Sequence, residues 1–442
     1  MIQSFTAENF KSIRHIDLGM RPFMVLVGPN GAGKTNIVRA LELFGEIIQR
    51  GTLDPVGEEG YEEIIRWGEK PARAGLRFKV ELNLPSSVVA RSLGLAQRAH
   101  PTESLPQNVR IRASIDIRGS VAAEGVSVAQ EELDLVSDKG VLTIKARGPS
   151  VTIDQGDDES LMRMLQRGFV HVPLRTTEKP TEPTQQVFEQ LLGSQPDVEK
   201  GLLRVVNWLR LSTPWMRYFR DAMKVARVRL DASSLRADSR FEESTFKRLI
   251  GPSGEGLATA VAKLRGTDDV PKPSFRPVLE ALQGVYPRIE DVRPERIEAR
   301  RLTLRFRERG ISRSLGQSDV SDRVLHSLAL LVSLVGGVGG PGVLVIEEPE
   351  NAIHPWSVRS MIERAQMYPS RQILLTTHSE TVVSAVKDPA SLFVVENTDN
   401  GTQVTPATER EAALASILKE SGQKLGQVWM DGSLGGVPGN QP

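Results

Sequence analysis

The chain has 442 residues, enough for two to four domain-sized units or one large domain with a long insertion. At 39% hydrophobic and 25% charged it can bury a sizeable core, which excludes wholesale disorder. Its 56 Lys and Arg nearly cancel 55 Asp and Glu, so bulk charge names no partner, and the lack of cysteine excludes a disulfide framework, a Cys-ligated zinc site and thiol catalysis.

The opening MIQSFTAENFKSIRHIDLGM has no apolar signal-peptide core, and no window approaches the roughly 18 uninterrupted apolar residues of a membrane span. A soluble, cytoplasmic protein with no membrane partner is expected. Residues 1–20 alternate apolar and polar, as an edge hairpin does. Phe23-Met24-Val25-Leu26-Val27 is an apolar run stopping at Gly28, which predicts a buried strand. Ile37, Val38, Leu41, Phe44 and Ile48 then follow at helical spacing.

Strands are predicted at Gly75–Leu82, Val109–Ile117 and Val141–Ala146, separated by turn-rich or acidic stretches. Residues 155–200, with QGDDES and TTEKPTEPTQQ, read as exposed connections, and 186–265 as helical and arginine-rich. Strands are expected near 296–308 and an apolar helix over roughly 322–335. Gly-rich GGVGGPG precedes strands at Val343–Ile346, Gln372–Thr376 and Leu392–Val395, a helical stretch at 409–420 and a Gly/Pro-rich tail. The outline is α/β: strand-rich ends, 1–150 and 296–442, flank a mixed, largely helical insertion at 151–295.

Three motifs carry chemistry. Gly28-Pro29-Asn30-Gly31-Ala32-Gly33-Lys34-Thr35 fits G-x-x-x-x-G-K-[ST] in full, between a predicted strand and a predicted helix. Its glycines let backbone N–H groups turn toward phosphates, Lys34 reaches the β/γ oxygens, and the Thr35 hydroxyl suits Mg²⁺. The helix start, with Asn36, presents its positive end to the same anion. Val343-Leu344-Val345-Ile346-Glu347-Glu348 is a buried strand ending in acids, with Glu347 assigned to the metal and Glu348 to a general base. The strand Gln372–Thr376 runs into Thr377-His378-Ser379. His378 at a strand tip suits hydrogen bonding to a γ-phosphate, and Ser379 also reads as a helix N-cap.

In order, ENFKSI, GPNGAGKTN, IEEPENAIHP and LLTTHS resemble an ABC-type ATPase head, more narrowly the OLD/RecF/SMC-like AAA ATPases of bacterial DNA-repair and phage-defence systems. The resemblance covers roughly residues 1–80 and 296–438. It implies a P-loop NTPase head assembled from N- and C-terminal lobes, with ATP and Mg²⁺ as ligands. It also implies a head-to-head homodimer in which a partner's signature motif completes each site.

Two segments resemble the signature: Ser314-Leu315-Gly316-Gln317, and Val320-Ser321-Asp322-Arg323, which opens the apolar helix. Ser321 is chosen as the nucleotide contact, and Arg323 stands where the family has glycine. The D-loop carries over as Glu350-Asn351-Ala352-Ile353-His354-Pro355. The implied function is Mg²⁺-dependent ATP hydrolysis whose conformational cycle controls DNA or a separately encoded nuclease or toxin. The alternative is a nucleotide-gated scaffold that hydrolyses slowly. A transporter ATPase subunit is disfavoured, because Lys34 and Glu347 are separated by most of the chain.

Other features are set aside. GGVGGP matches G-x-G-x-x-G by letter but precedes a strand, so the dinucleotide reading fails its context. The six histidines show no metal spacing, and the residues after 395 are too few for a TOPRIM nuclease. Two basic clusters suit double-stranded DNA: Arg204, Arg210, Arg217, Arg220, Lys224, Arg227 and Arg229, interleaved by Trp208, Trp215, Tyr218 and Phe219, and Arg293, Arg296, Arg300, Arg301, Arg305, Arg307 and Arg309. Pairing with the acids at 155–160 and 290–298 is the competing reading.

Overall fold

A computed structural model describes the chain except residues 67–74, 95–105, 121–124, 148–149, 155–157, 170–212, 241–249, 267–272, 335–341, 352, 354, 367–370, 411–413, 415–417, 419, 421 and 438–442. The first strands are β1 (Ile2–Phe10), β2 (Ile13–Gly19), β3 (Phe23–Val27), β4 (Leu76–Asn83), β5 (Arg110–Ser120), β6 (Gly125–Val136), β7 (Val141–Arg147) and β8 (Ser150–Asp154). They are followed by β9 (Val225–Val228), β10 (Ser239–Arg240), β11 (Ile289–Glu298), β12 (Arg301–Glu308) and β13 (Leu315–Gly316). The last four are β14 (Val343–Glu347), β15 (Gln372–Thr377), β16 (Leu392–Thr398) and β17 (Gly401–Pro406).

The chain divides into two compact units cut from interleaved segments: Met1–Arg21 with Thr35–Val225 and Glu396–Val404, and Pro22–Lys34 with Ala226–Val395 and Thr405–Pro442. Contacts therefore group the chain differently from consecutive thirds of sequence. The reason at β3 is apolar character on both faces: all five residues are buried, so the strand fits only the interior of a covered parallel sheet.

The first unit is built on a seven-stranded sheet of order β2-β1-β4-β5-β6-β7-β8, with antiparallel pairs throughout. The hairpin expected at residues 1–20 is present, with β2 at the edge. In β4, Leu76, Phe78, Val80 and Leu82 are buried while Arg77, Lys79 and Asn83 are exposed, the period-two pattern of a half-covered sheet. Phe44, from helix Lys34–Arg50, stacks on Phe78 at 5.4 Å between centroids and on Phe5 at 6.3 Å. Each such side chain contributes about 1.5–3 kcal/mol of burial. Two strands escape the sequence reading. The stretch Gly125–Val136, expected as a connection, is the longest strand of this sheet, and Ser150–Asp154 is its far edge. Acids on the polar face of β6 hide its alternation.

The second unit holds most of a six-stranded sheet of order β17-β16-β3-β15-β14-β9, whose β16, β3, β15 and β14 run parallel. The residues 296–308, expected as strands, form the end of β11, a turn and β12, an antiparallel hairpin that β10 and β13 join. The arginine-rich middle also contains β9, so 225–228 is strand and not helix. The helix Asp322–Leu334 matches its expected span and buries Val324 through Ser333. Among the described residues no helix is long and apolar enough to cross a membrane.

Candidate nucleotide-binding site

Parallel pairing in register brings the three motifs together. Val27 pairs with Thr377 and Val394, and Thr376 pairs with Glu347. The segments that begin at Gly28, Glu348 and His378 thus leave neighbouring strands at the same carboxyl-terminal edge, where open parallel sheets receive ligands. β15 lies between β3 and β14, so the turn after it sits between the other two.

The loop after β3 is shaped by close approach. A Cβ on Gly28 would run into the backbone carbonyl oxygen of Val395, so no larger residue fits. Gly31 and Gly33 adopt φ of 82° and 103°, in the region that L side chains avoid. Lys34 opens the helix, is 6% exposed, and donates from Nζ to the carbonyl oxygens of Gly28 (2.7 Å) and Pro29 (2.9 Å). Burial lowers its pKa below the usual lysine range, while the charges of Glu348 and Glu350 pull it back upward. Pro29 is half-buried, Asn30 and Thr35 are exposed, and Ala32 is buried. The Asn36 amide donates to Ser12 Oγ at 2.7 Å, a contact within the fold.

The acids divide by environment. Glu347 ends β14 with a side chain only 3% exposed, and its Oε1 accepts from Arg227 Nε on β9, the neighbouring strand. Glu348 takes φ of 47°, a strained value for a residue with a side chain, and its N–H donates to the Thr376 carbonyl at 2.9 Å. That turn swings its carboxylate out of the strand, where Oε2 accepts from Asn351 Nδ2 at 2.7 Å. Glu350 Oε1 accepts from Thr377 Oγ1 at 2.6 Å and the His378 N–H at 3.2 Å. The His378 ring lies nearby, with Nδ1 3.7 Å from Glu350 Oε1 and 3.9 Å from Glu348 Oε1. His378 Nδ1 and Glu350 Oε2 are buried with no protein partner, so this corner has polar capacity left for a phosphate or water. Ser379 sits at the N-cap of the short helix Glu380–Ser384, but its side chain makes no capping bond.

Ser321, Asp322 and Arg323 are exposed at the start of the Asp322–Leu334 helix. The loop before it is pinned by Arg236, which donates to the carbonyls of Gln317 (3.2 Å), Ser318 (2.9 Å) and Val320 (3.0 Å) and pairs with Asp322 at 2.7 Å. Gln317, in the rejected signature candidate, is buried, and its Oε1 accepts from the Leu304 N–H at 3.1 Å. In the D-loop segment, Ala352 and His354 lie outside the described residues.

Burial and pairing occupy part of the basic clusters. Arg204, Trp208 and Arg210 lie outside the described residues. Trp215 and Phe219 are fully buried, and Tyr218 accepts a hydrogen bond from the Met1 ammonium at 2.8 Å, so these aromatics form no stacking surface. Arg227 turns to Glu347. In the hairpin, Arg293 pairs with Asp291 (2.7 Å), Arg301 with Asp238 (2.7 Å), Arg305 with Glu295 (2.5 Å) and Arg307 with Glu290 (3.1 Å). That is a mixed-charge face and not a uniform positive track. Sequence reasoning missed Arg227, Arg236 and Glu350 as organisers, and only the alternating VARV hinted that Arg227 belongs to a strand.

This arrangement suits a nucleoside triphosphate: a glycine-shaped loop at a helix N-terminus, a buried lysine, and acids two strands along the same sheet. Among the described residues no group of three His, Cys, Asp or Glu could hold a metal by itself. A Thr35 hydroxyl and a Glu347 carboxylate are oxygen donors of the type that suits Mg²⁺, which commonly takes its remaining ligands from phosphate and water.

Fold and motifs resemble those of a P-loop NTPase of the ABC-ATPase type. More narrowly, the chain resembles the heads of the OLD, RecF and SMC proteins. The "AAA ATPase domain" family matches residues 1–49, and "AAA domain, putative AbiEii toxin, Type IV TA system" matches residues 194–384. The DNA replication and repair protein RecF of Beutenbergia cavernae is 31% identical over 138 residues, 30% of this chain and 31% of RecF. The OLD nuclease of Thermus scotoductus is 46% identical over 43 residues, 10% of this chain and 8% of that protein. The matches thus span about a third or less of these relatives. An SMC head bound to the C-winged helix domain of ScpA superposes with a TM-score of 0.48 at 11% identity, covering 91% of this chain and 96% of that one.

Proposed function

We propose that this chain hydrolyses ATP in a Mg²⁺-dependent reaction at a head-to-head dimer interface. The observation that carries the reading is the register that aligns Val27, Thr377 and Glu347 at one sheet edge. In this reading the loop N–H groups of Gly28 to Thr35 bind the phosphates, and Lys34 exchanges its two carbonyl acceptors for β/γ oxygens. Thr35 and, through water, Glu347 would hold Mg²⁺, which when bound would supply neutralisation of the phosphate charge. Glu348 accepts a proton from water as the water oxygen attacks the γ-phosphorus. The bond to the β–γ bridging oxygen breaks, giving ADP and phosphate. His378, held by Glu350 through its backbone, donates to the γ-phosphate and registers its departure.

The exposed Ser321 at a helix start suits contact with nucleotide bound by a second copy. Closure on ATP and opening after hydrolysis would then act on DNA or on a separately encoded nuclease or toxin, in DNA repair or phage defence. The RecF and OLD resemblances support that setting.

The test is ATP turnover by the purified chain with Mg²⁺ or EDTA, beside Glu348→Gln. Loss of a general base should lower turnover about 10²–10⁴-fold while ATP stays bound and a dimer accumulates in light scattering. Wild-type turnover by Glu348→Gln would remove Glu348 from the role, and undiminished turnover in EDTA would remove the metal.

A further inference from the structure

Glu347 is the most enclosed acid of the site, with a side chain 3% exposed, and its companion is a guanidinium. An ionised carboxylate so far from water is costly unless a positive charge accompanies it. Lys34 does not fill that need, because its amine is committed to the Gly28 and Pro29 carbonyls. Arg227 does. It comes from β9, which borders β14 in the sheet, so the two side chains are brought together by strand pairing and not by a mobile loop.

We infer that Arg227 is a positioning residue that holds and orients the Glu347 carboxylate before the metal arrives, and that it must release the carboxylate to Mg²⁺. The inference rests on the reading of Glu347 as the metal acid. A guanidinium N–H and a divalent cation seek the same oxygen lone pairs, so the pair sets a threshold for metal binding. Without nucleotide, Arg227 holds Oε1 and the protein has little affinity for the free ion. Phosphate oxygens and Thr35 add ligands only when ATP is present, which is when Mg²⁺ prevails. The arginine thereby couples metal entry to nucleotide entry.

The test uses the full chain without nucleotide, with Mn²⁺ as the spectroscopic stand-in for Mg²⁺. Arg227→Gln leaves Glu347 without its counter-ion. Mn²⁺ binding measured by electron paramagnetic resonance should tighten roughly tenfold or more, and Mg²⁺ alone should raise an unfolding midpoint that is depressed in EDTA. Adding Glu347→Gln should abolish both effects. Arg227→Lys, which keeps the charge but lacks the planar fork, should bind Mn²⁺ more tightly than wild type and serves if the glutamine variant does not fold. Variants that fold and bind Mn²⁺ no better than wild type would overturn the inference.

Binding of a fluorescent ATP analogue separates the two readings. If it binds with Mg²⁺ while Arg227→Gln leaves metal affinity unmoved, only the role of Arg227 fails. If no variant binds the analogue, the nucleotide reading fails, and the Mn²⁺ result judges Arg227 by itself.

Discussion

Replacing Lys34 by alanine tests the phosphate loop at its most buried charge. In the free protein the ammonium is held by two carbonyl oxygens at 2.7 and 2.9 Å, with burial lowering its pKa and Glu348 and Glu350 offsetting part of that. Bound triphosphate would replace those neutral acceptors by anionic oxygens. Hydrogen bonds to charged groups are worth about 1.5–3 kcal/mol each, so losing two should weaken ATP about 10²–10⁴-fold.

The same geometry gives a pH signature. Binding phosphate raises a lysine pKa that burial has lowered, so the free protein releases the proton at lower pH than the complex. Affinity is therefore full below the free-protein value and declines as pH rises through it, in a window beginning below the usual lysine range. ATP is fully ionised across about pH 8–10, so its own titration does not interfere. Titration of a fluorescent ATP analogue over that range should show falling affinity in wild type and a weak, flat response in Lys34→Ala. Retention of wild-type affinity by Lys34→Ala, within about threefold (0.7 kcal/mol), would refute the reasoning.

Two further outcomes test the framework around the site. Asp291 is buried and accepts from Arg265 at 2.7 and 3.1 Å and from Arg293 at 2.7 Å, so Asp291→Asn should cost about 2–4 kcal/mol in urea unfolding. Burial pushes that carboxyl up, but the arginine hydrogen bonds outweigh it and hold it below the usual aspartate range. Its contribution is thus present above the unfolded value and lost as pH falls through the folded one. Wild type should lose stability below about pH 4 faster than the variant, and parallel curves would reject the role. Arg236→Ala should free the loop at 314–322, seen as faster amide exchange confined there, with about 1–2 kcal/mol of global stability lost. Unchanged exchange would mean that the loop does not depend on Arg236.

Much of the site was legible because its chemistry is local. Gly28 to Thr35 is contiguous, and a strand before and a helix after are written in the apolar pattern of Phe23–Val27 and Ile37–Ile48. The same holds for Val343–Glu347 and Gln372–Thr377, whose short apolar runs stop at polar tips. Errors fell where side-chain type does not reveal its partner. β6 looked like a connection because Glu131, Glu132 and Asp134 interrupt it, although Glu132 pairs with Lys145 on β7 at 2.8 Å. In sequence, Trp215 and Phe219 group with the arginines they interleave, because an aromatic beside arginines reads alike on either face of a helix.

By itself, then, the sequence determined the phosphate loop, the acid-tipped strand and the strand ending at His378, since each depends on residues adjacent in the chain. Only the tertiary structure decided that β15 lies between the other two strands, that Arg227 meets Glu347, that Glu350 holds the His378 backbone, and that the hairpin arginines face acids. Those are long-range choices made by strand order and burial, and no spacing along the chain encodes which charge will be brought beside which.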